Sequence, residues 1–141
     1  MCDKIMSILF VGACRTMARE VERQLNTSSG QPPCKVFTAE NAARAFGLLD
    51  VLDEPPEIVV TDVDLGFMSS GTEFIMELGH RNIYPKPVFV GYDSALSDSI
   101  MSEIKCYGEY LVRRPCSPGE VAIMIALAYD SLVSKRMSVA G

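Results

Sequence analysis

Two carboxylates stand where an apolar run ends, and their position suits chemistry. The run PEIVVTD closes on Asp62, and Asp64 follows it before a glycine. Two later apolar runs are followed by Tyr92 and Arg114. A strand-end aspartate caps the next turn about as often as it serves a site. An arginine can bind phosphate oxygens through two hydrogen bonds, and carboxylates can hold Mg²⁺, so these side chains could together bind an anion or a hard cation.

The composition limits the classes of function. At 141 residues the chain is expected to be one domain, residues 1–141, with a core over 5–135 and a tail over 136–141. The net charge is −5 and no Lys/Arg cluster is present, which argues against a nucleic-acid partner. No apolar run approaches the roughly 20 residues of a membrane span. We therefore expect a soluble, cytoplasmic protein.

Cysteine and histidine give no signal for a reaction site. The five cysteines form no CxxC pair and are odd in number, which favours free thiols in a reducing cytoplasm. They are Cys2, Cys14, Cys34, Cys106 and Cys116. His80 has no second histidine with which to form a metal site. Asp93 is most simply an exposed turn residue.

Strand and helix patterns alternate along the whole chain. Continuous apolar runs predict five strands: 7–12, 34–39, 57–61, 87–92 and 109–112. Apolar residues at helical spacing predict five helices: 14–25, 40–52, 72–81, 94–108 and 117–137. Thr72 and Ser117 are the expected N-caps of the third and fifth helices. Five such units predict an α/β fold with a doubly wound, five-stranded parallel sheet, whose ligands lie at the carboxyl ends of the strands.

Four landmarks give the chain a resemblance to a known family. They are the strand ILFV, the strand ending at Asp62 with Gly71 downstream, the strand PVFV after a proline, and the segment YLVRRPCSPGEV. Together they resemble the receiver domain of two-component response regulators over residues 5–135. The resemblance implies a flavodoxin-like fold with strand order 2-1-3-4-5. It also implies a role in phosphorelay signalling rather than enzyme activity.

The resemblance assigns roles to several residues. Asp62 would be the phosphoacceptor, to which a histidine kinase transfers a phosphoryl group in the presence of Mg²⁺. The metal would be held by an acidic pair after the first strand, by Asp62, and by the backbone carbonyl of Asp64. Tyr92 falls at the hydroxyl position that contacts the phosphoryl group. Arg114, before a cis proline, takes the place of the family's lysine.

The acidic pair is absent. Gly12 and Ala13 stand where the two acids are expected, which leaves Asp62 and Asp64 as weak magnesium ligands. A bound metal is worth several kcal/mol of charge stabilisation, so its loss implies phosphorylation slower by a factor of roughly 10³. We therefore expect no cofactor, with only weak binding of Mg²⁺.

The last helix carries more apolar residues than one sheet face would cover. Ile123 and Leu127 widen its apolar stripe, and Met101, Tyr110 and Leu111 could extend the same surface. In receivers the fourth helix, fifth strand and fifth helix form a dimer and effector face. A deeply buried terminal helix explains the pattern equally well.

Two hypotheses follow. We favour an atypical receiver, or pseudo-receiver, that acts through contacts with a histidine kinase, an effector or another receiver, including its own copy. The alternative is a conventional receiver phosphorylated on Asp62. A flavin or nucleotide binder would need a Gly- or Ser/Thr-rich phosphate loop after the first strand, and GACRTMA is not one.

Overall fold

Five parallel strands form one sheet at the centre of the molecule. The computed structural model describes residues 5–28, 32–66 and 69–140, with side chains as far as residue 134. The strands are β1 (Met6–Val11), β2 (Cys34–Ala39), β3 (Ile58–Asp62), β4 (Lys86–Gly91) and β5 (Leu111–Arg113). Their order is β2-β1-β3-β4-β5, and every neighbouring pair is parallel. The predicted doubly wound sheet and its order are confirmed.

Helices cover both faces of this sheet. They are α1 (Ala18–Thr27), α2 (Ala42–Val51), α3 (Gly71–His80), α4 (Asp98–Cys106) and α5 (Pro118–Ala140). Helices α1 and α5 pack on one face, against strand residues such as Phe10 and Val60. Helices α2, α3 and α4 pack on the other, against residues such as Val59 and Phe89. The strands read as continuous apolar runs because both of their faces are buried.

Several element boundaries differ from the predictions. The predicted helices at 14–25 and 94–108 each open with a 3₁₀ turn, at Ala13–Met17 and Asp93–Ala95. Ser70, not Thr72, is the N-cap of α3, and its hydroxyl accepts a hydrogen bond from the amide of Glu73.

The structure can also be compared with the predictions at the fifth helix and in the loop after β3. Ser117 caps α5 as predicted, because its hydroxyl accepts a hydrogen bond from the Glu120 amide at 3.2 Å. Helix α5 continues to Ala140, so most of the predicted 136–141 tail is helical. A short antiparallel pair of strands, 64–66 with 69–70, follows β3 and was not predicted.

The sheet brings the candidate residues to one edge. Asp62 is the last residue of β3, and its Cα partner on β4 is Val90. Gly12 directly follows β1, and Arg114 directly follows β5. Within the described part of the chain, no helix is long and apolar enough to span a membrane.

Candidate functional site

Asp62 lies buried at the carboxyl edge of the sheet, where it accepts two hydrogen bonds. Its side chain is 9% exposed. Oδ2 accepts a hydrogen bond from the backbone amide of Ala13 at 2.5 Å. Oδ1 accepts one from Nη2 of Arg114 at 3.3 Å. The carboxylate is therefore held between a backbone dipole and a fixed positive charge.

Gly12 makes the contact between Ala13 and Asp62 possible. Its φ of 96° is a backbone conformation that side-chain-bearing residues rarely adopt. A Cβ built on Gly12 would lie 2.8 Å from Asp62 Oδ2 and 2.8 Å from Leu65 Cδ2. No carboxylate could stand at this position without displacing Asp62, because the space is taken by the carboxylate already there.

Arg114 reaches Asp62 from the end of β5. Its backbone amide donates a hydrogen bond to the carbonyl of Gly91 at 2.8 Å, and the peptide bond to Pro115 is cis, as the resemblance implies. The side chain is 20% exposed. Its Cζ lies 5.9 Å from the ring centroid of Tyr92, within the range of a cation–π contact.

A cavity of about 270 Å³ opens beside the Asp62 carboxylate. Its wall includes Ala13, Tyr92, Ser94 and Arg114. Tyr92 is 57% exposed, so more than half of its surface faces solvent. Ser94 also lines this space, two residues beyond the position that the resemblance assigns to a hydroxyl.

The other two acids near the site do not join Asp62. Asp64 lines the cavity but is exposed, and its Oδ1 accepts a hydrogen bond from the Gly66 amide at 2.9 Å. Asp93 forms an ion pair with Arg113, whose Nη1 lies 2.6 Å from Oδ1. Both acids therefore have local partners of their own, and the sequence offered no signal for the Arg113 pair.

The residues present do not fit a resident magnesium ion. Mg²⁺ requires near-octahedral oxygen coordination, usually with one or two carboxylates directed at it. Both oxygens of Asp62 already accept hydrogen bonds, and Gly12 and Ala13 offer no side-chain oxygen. Among the described residues, no three His, Cys, Asp or Glu side chains cluster closely enough to hold a metal.

Cys14 lies directly beneath the site, a placement the sequence did not reveal. It is fully buried, with Sγ 3.2 Å from the carbonyl oxygen of Val11 and 3.5 Å from that of Val60. Burial, and then the neighbouring Asp62 carboxylate, raise the pKa of the Cys14 thiol well above its ordinary value. A neutral thiol here serves packing. Cys34, Cys106 and Cys116 are also free, and Cys2 is outside the described residues.

Of the five apolar residues predicted to form a surface around α5, two are exposed and three are half-buried. Ile123 is 64% exposed and Leu127 is 52% exposed, so these two are not buried in the core. Met101, Tyr110 and Leu111 are half-buried and pack against the core clusters. The interpretation of α5 as a deeply buried helix is therefore wrong for Ile123 and Leu127. These two residues form an exposed apolar pair one helical turn apart.

Solved structures with the same architecture include receiver domains from several bacteria. The receiver domain of a putative Luxo repressor protein from Vibrio parahaemolyticus has a TM-score of 0.71 and 15% identity, covering 96% of this chain and 98% of that one. The receiver domain of an HD domain-containing protein from Pseudomonas fluorescens has a TM-score of 0.69 and 16% identity, covering 93% and 99%. The chain has a receiver-domain fold.

This fold explains why the candidate residues lie at one edge of the sheet, but it does not by itself assign an activity. No protein-family model matches the sequence, and no curated protein matches it either. An adenylate cyclase from Rhodopirellula baltica shares the receiver fold with a TM-score of 0.64 and 20% identity, covering 97% of this chain and 98% of that one. Identities this low show common architecture alone, so function has to be argued from the site.

Proposed function

We propose that this chain is an atypical receiver that signals through protein contacts without phosphorylation of Asp62. The observation that carries the proposal is the pair of hydrogen bonds on the Asp62 carboxylate, from the Ala13 amide and from Arg114. In this arrangement the backbone dipole and the guanidinium already balance the charge that a metal would balance. Asp62 then acts as a structural anchor that ties the ends of β1, β3 and β5 together.

The charges at the site are expected to make phosphorylation of Asp62 slow. An incoming phosphoryl group brings up to two negative charges to a carboxylate that already carries one. Arg114 supplies one positive charge, but a guanidinium does not replace a metal that bridges nucleophile and phosphoryl oxygens. The missing several kcal/mol correspond to a rate lower by a factor of about 10³.

The test is incubation with acetyl phosphate and Mg²⁺, followed by intact-mass measurement. We expect the wild-type protein to gain no stoichiometric phosphoryl adduct. The Asp62→Asn variant is the matched control, because asparagine keeps an acceptor for the Ala13 amide but cannot be phosphorylated. A full adduct on wild type that disappears in Asp62→Asn would overturn the proposal.

A gain-of-function variant sharpens this test. Ala13 is exposed in the cavity wall, so an Ala13→Asp substitution can place a second carboxylate beside Asp62, whereas Gly12 has no such room. Combined with Arg114→Lys, it restores two features of a conventional receiver. We expect Mg²⁺-dependent phosphorylation in this double variant. If wild type already matches it, the absent acidic pair is not what limits the reaction.

The alternative is a conventional receiver phosphorylated on Asp62 by a histidine kinase. One observation favours it, which is the cavity of about 270 Å³ lined by Asp62, Ser94 and Arg114. That space could admit a phosphoryl group if Arg114 moved from the carboxylate to the incoming oxygens. The mass measurement above separates the two candidates directly.

The contact surface we propose is the face of α4, β5 and α5. It includes the exposed pair Ile123 and Leu127 on α5, Met101 on α4, and Leu111 on β5 with Tyr110 immediately before it. A second copy of the chain, a kinase or an effector could cover it. We expect the wild-type protein to self-associate in sedimentation equilibrium and Ile123→Ser/Leu127→Ser to be monomeric.

A matched control is available for this surface. Val51 is 76% exposed on α2, on the other face of the sheet, so Val51→Ser removes a comparable apolar side chain elsewhere. It should leave the association unchanged. A wild-type protein that stays monomeric at all concentrations would contradict the homodimer and leave a different protein as the partner.

A further inference from the structure

A second, larger cavity opens at the edge of the sheet opposite Asp62. This groove has a volume of about 690 Å³ and lies where α3 and α4 end and β4 begins. Lys86 is the first residue of β4, and Val90, the β4 partner of Asp62, comes four residues later. At about 3.3 Å per residue, the two sites are about 13 Å apart along the strand. The groove therefore takes no part in the Asp62 site.

The groove has the size and lining of a small-molecule site. Ligand sites of about 300–1,000 Å³ are typically lined by apolar and aromatic side chains with a few polar groups. Ile75, Ile83, Tyr84 and Tyr107 are among the apolar and aromatic residues of this lining. Tyr84 is 76% exposed, so most of its aromatic surface is available for contact with a ligand.

The charges in the groove are positive, although the chain as a whole is acidic. Lys86 and Lys105 line it, and among the described lining residues none is Asp or Glu, in a chain of net charge −5. Neither lysine forms an ion pair with a described residue. The Nζ of Lys86 lies 5.5 Å from the centroid of the Tyr110 ring. His80 also lines the groove, but it is paired with Glu77 at 3.3 Å.

Helix dipoles offset part of the positive charge in the groove. The carboxyl-terminal ends of α3 and α4 both face it, and each carries the equivalent of roughly half a negative charge. Against the two ammonium groups this leaves a net of about one positive charge. A ligand with one acidic group matches that value, whereas a nucleotide or a polyphosphate carries too many charges.

We propose that this groove binds a small amphipathic organic anion, with an aromatic or branched aliphatic body and one acidic group. Lys86 and Lys105 bind the acidic group, and Tyr84 and Tyr107 pack against the body. The site is independent of the Asp62 chemistry, so it stands whether or not Asp62 is phosphorylated.

Two dyes with nearly the same body test the proposal. We use 8-anilinonaphthalene-1-sulfonate, which carries one negative charge, and N-phenyl-1-naphthylamine, which lacks the sulfonate. Fluorescence titration should show one sulfonate-dye site per chain, with binding at least about tenfold tighter than for the neutral dye. Equal affinity for the two dyes, or no saturable binding, would refute a site for an organic anion.

Lysine variants connect the binding to the groove. Lys86→Met/Lys105→Met keeps the aliphatic stems and should weaken the charged dye about tenfold or more, while the neutral dye changes less than about twofold. Lys35→Met is the matched control, because Lys35 is an exposed lysine that also lies over an aromatic ring, 5.4 Å from the centroid of Phe37, on β2. An equal loss in Lys35→Met would show a general charge effect and sink the proposal.

Cys106 reports where the dye binds. Its thiol is exposed and lines the groove, whereas Cys116 lies beyond β5, outside the lining. Saturating sulfonate dye should slow iodoacetamide labelling of Cys106 several-fold and leave Cys116 unaffected, as followed by peptide mass mapping. If Cys106 reacts at its free rate in the presence of dye, the dye binds elsewhere and the assignment of the groove is wrong.

Discussion

The Asp62–Arg114 pair makes a quantitative prediction about stability. Replacing Arg114 by Met keeps the aliphatic stem and removes the charge that faces a carboxylate only 9% exposed. A hydrogen bond between charged groups contributes about 1.5–3 kcal/mol, and stranding one member of a fully buried pair costs about 3–5 kcal/mol. Arg114 is 20% exposed and a cavity borders the pair, so water screens it and we expect a loss near the lower range, about 2 kcal/mol.

A double-mutant cycle isolates the pair from its surroundings. Asp62→Asn should cost about 1 kcal/mol, because the amide oxygen still accepts the hydrogen bond from Ala13 and Arg114 can turn toward solvent. In that background Arg114→Met should cost well under 1 kcal/mol, which leaves a coupling energy of about 1–2 kcal/mol.

Urea denaturation followed by far-UV circular dichroism measures these free energies of unfolding. With a slope of about 2 kcal/mol per molar, the single Arg114→Met variant should unfold at a urea concentration about 1 M below wild type. Mutations at independent sites add within about 0.5 kcal/mol. A coupling energy below that limit would refute the anchoring role of the pair, and with it the charge balance on which the proposed function depends.

Other substitutions probe the site and the core. Gly12→Ala should destabilise the fold by at least about 2 kcal/mol, because φ is 96° and the new Cβ would meet the buried carboxylate of Asp62. Gly47→Ala should instead stabilise the fold by about 0.5–1 kcal/mol, because the space around Gly47 in α2 is open. Urea midpoints of the two variants test this difference. Burial raises the pKa of the Cys34 thiol from an ordinary 9.0 to about 11, so its stabilising effect is complete below pH 9 and is lost as pH rises toward 11. Wild type should therefore lose stability over that interval, and Cys34→Ser should lose less. Ser97→Ala removes the N-cap of α4 and should cost about 1 kcal/mol by the same assay.

The architecture could be predicted because its signals are local and repeated. Runs such as IVVTD are buried on both faces, so the residue pattern alone identified a strand of a parallel sheet. Boundaries were less accurate where tertiary contacts decide them. Ser70 caps α3 in place of Thr72, whose hydroxyl donates a hydrogen bond to Glu103 on α4, 2.7 Å away. Nothing within α3 itself announces that distant partner.

The positions of the candidate residues could be predicted, but their contacts could not, and their role as a functional site stays a prediction. The resemblance located Asp62, Gly12 and Arg114 correctly at one edge of the sheet, because strand ends are set by the alternation of elements. It presented Gly12 as a lost ligand, since a sequence does not show which backbone amide points where. The hydrogen bond from Ala13 to Asp62 depends on a positive φ that only coordinates reveal.

The departures from an ordinary receiver site are physically linked. Once a glycine stands at position 12, the backbone can approach Asp62 closely enough for the Ala13 amide to donate to it, and no room remains for a carboxylate there. With that carboxylate gone, a divalent cation at Asp62 would have too few oxygen ligands, and a fixed cation from the chain becomes the favourable partner. Arginine suits this place better than lysine because its charge is permanent and its planar group can reach Asp62 while lying near the Tyr92 ring. Under the proposed function, Gly12, Ala13 and Arg114 form one compensated arrangement, and reverting a single member should lower the stability of the fold rather than restore phosphorylation of Asp62.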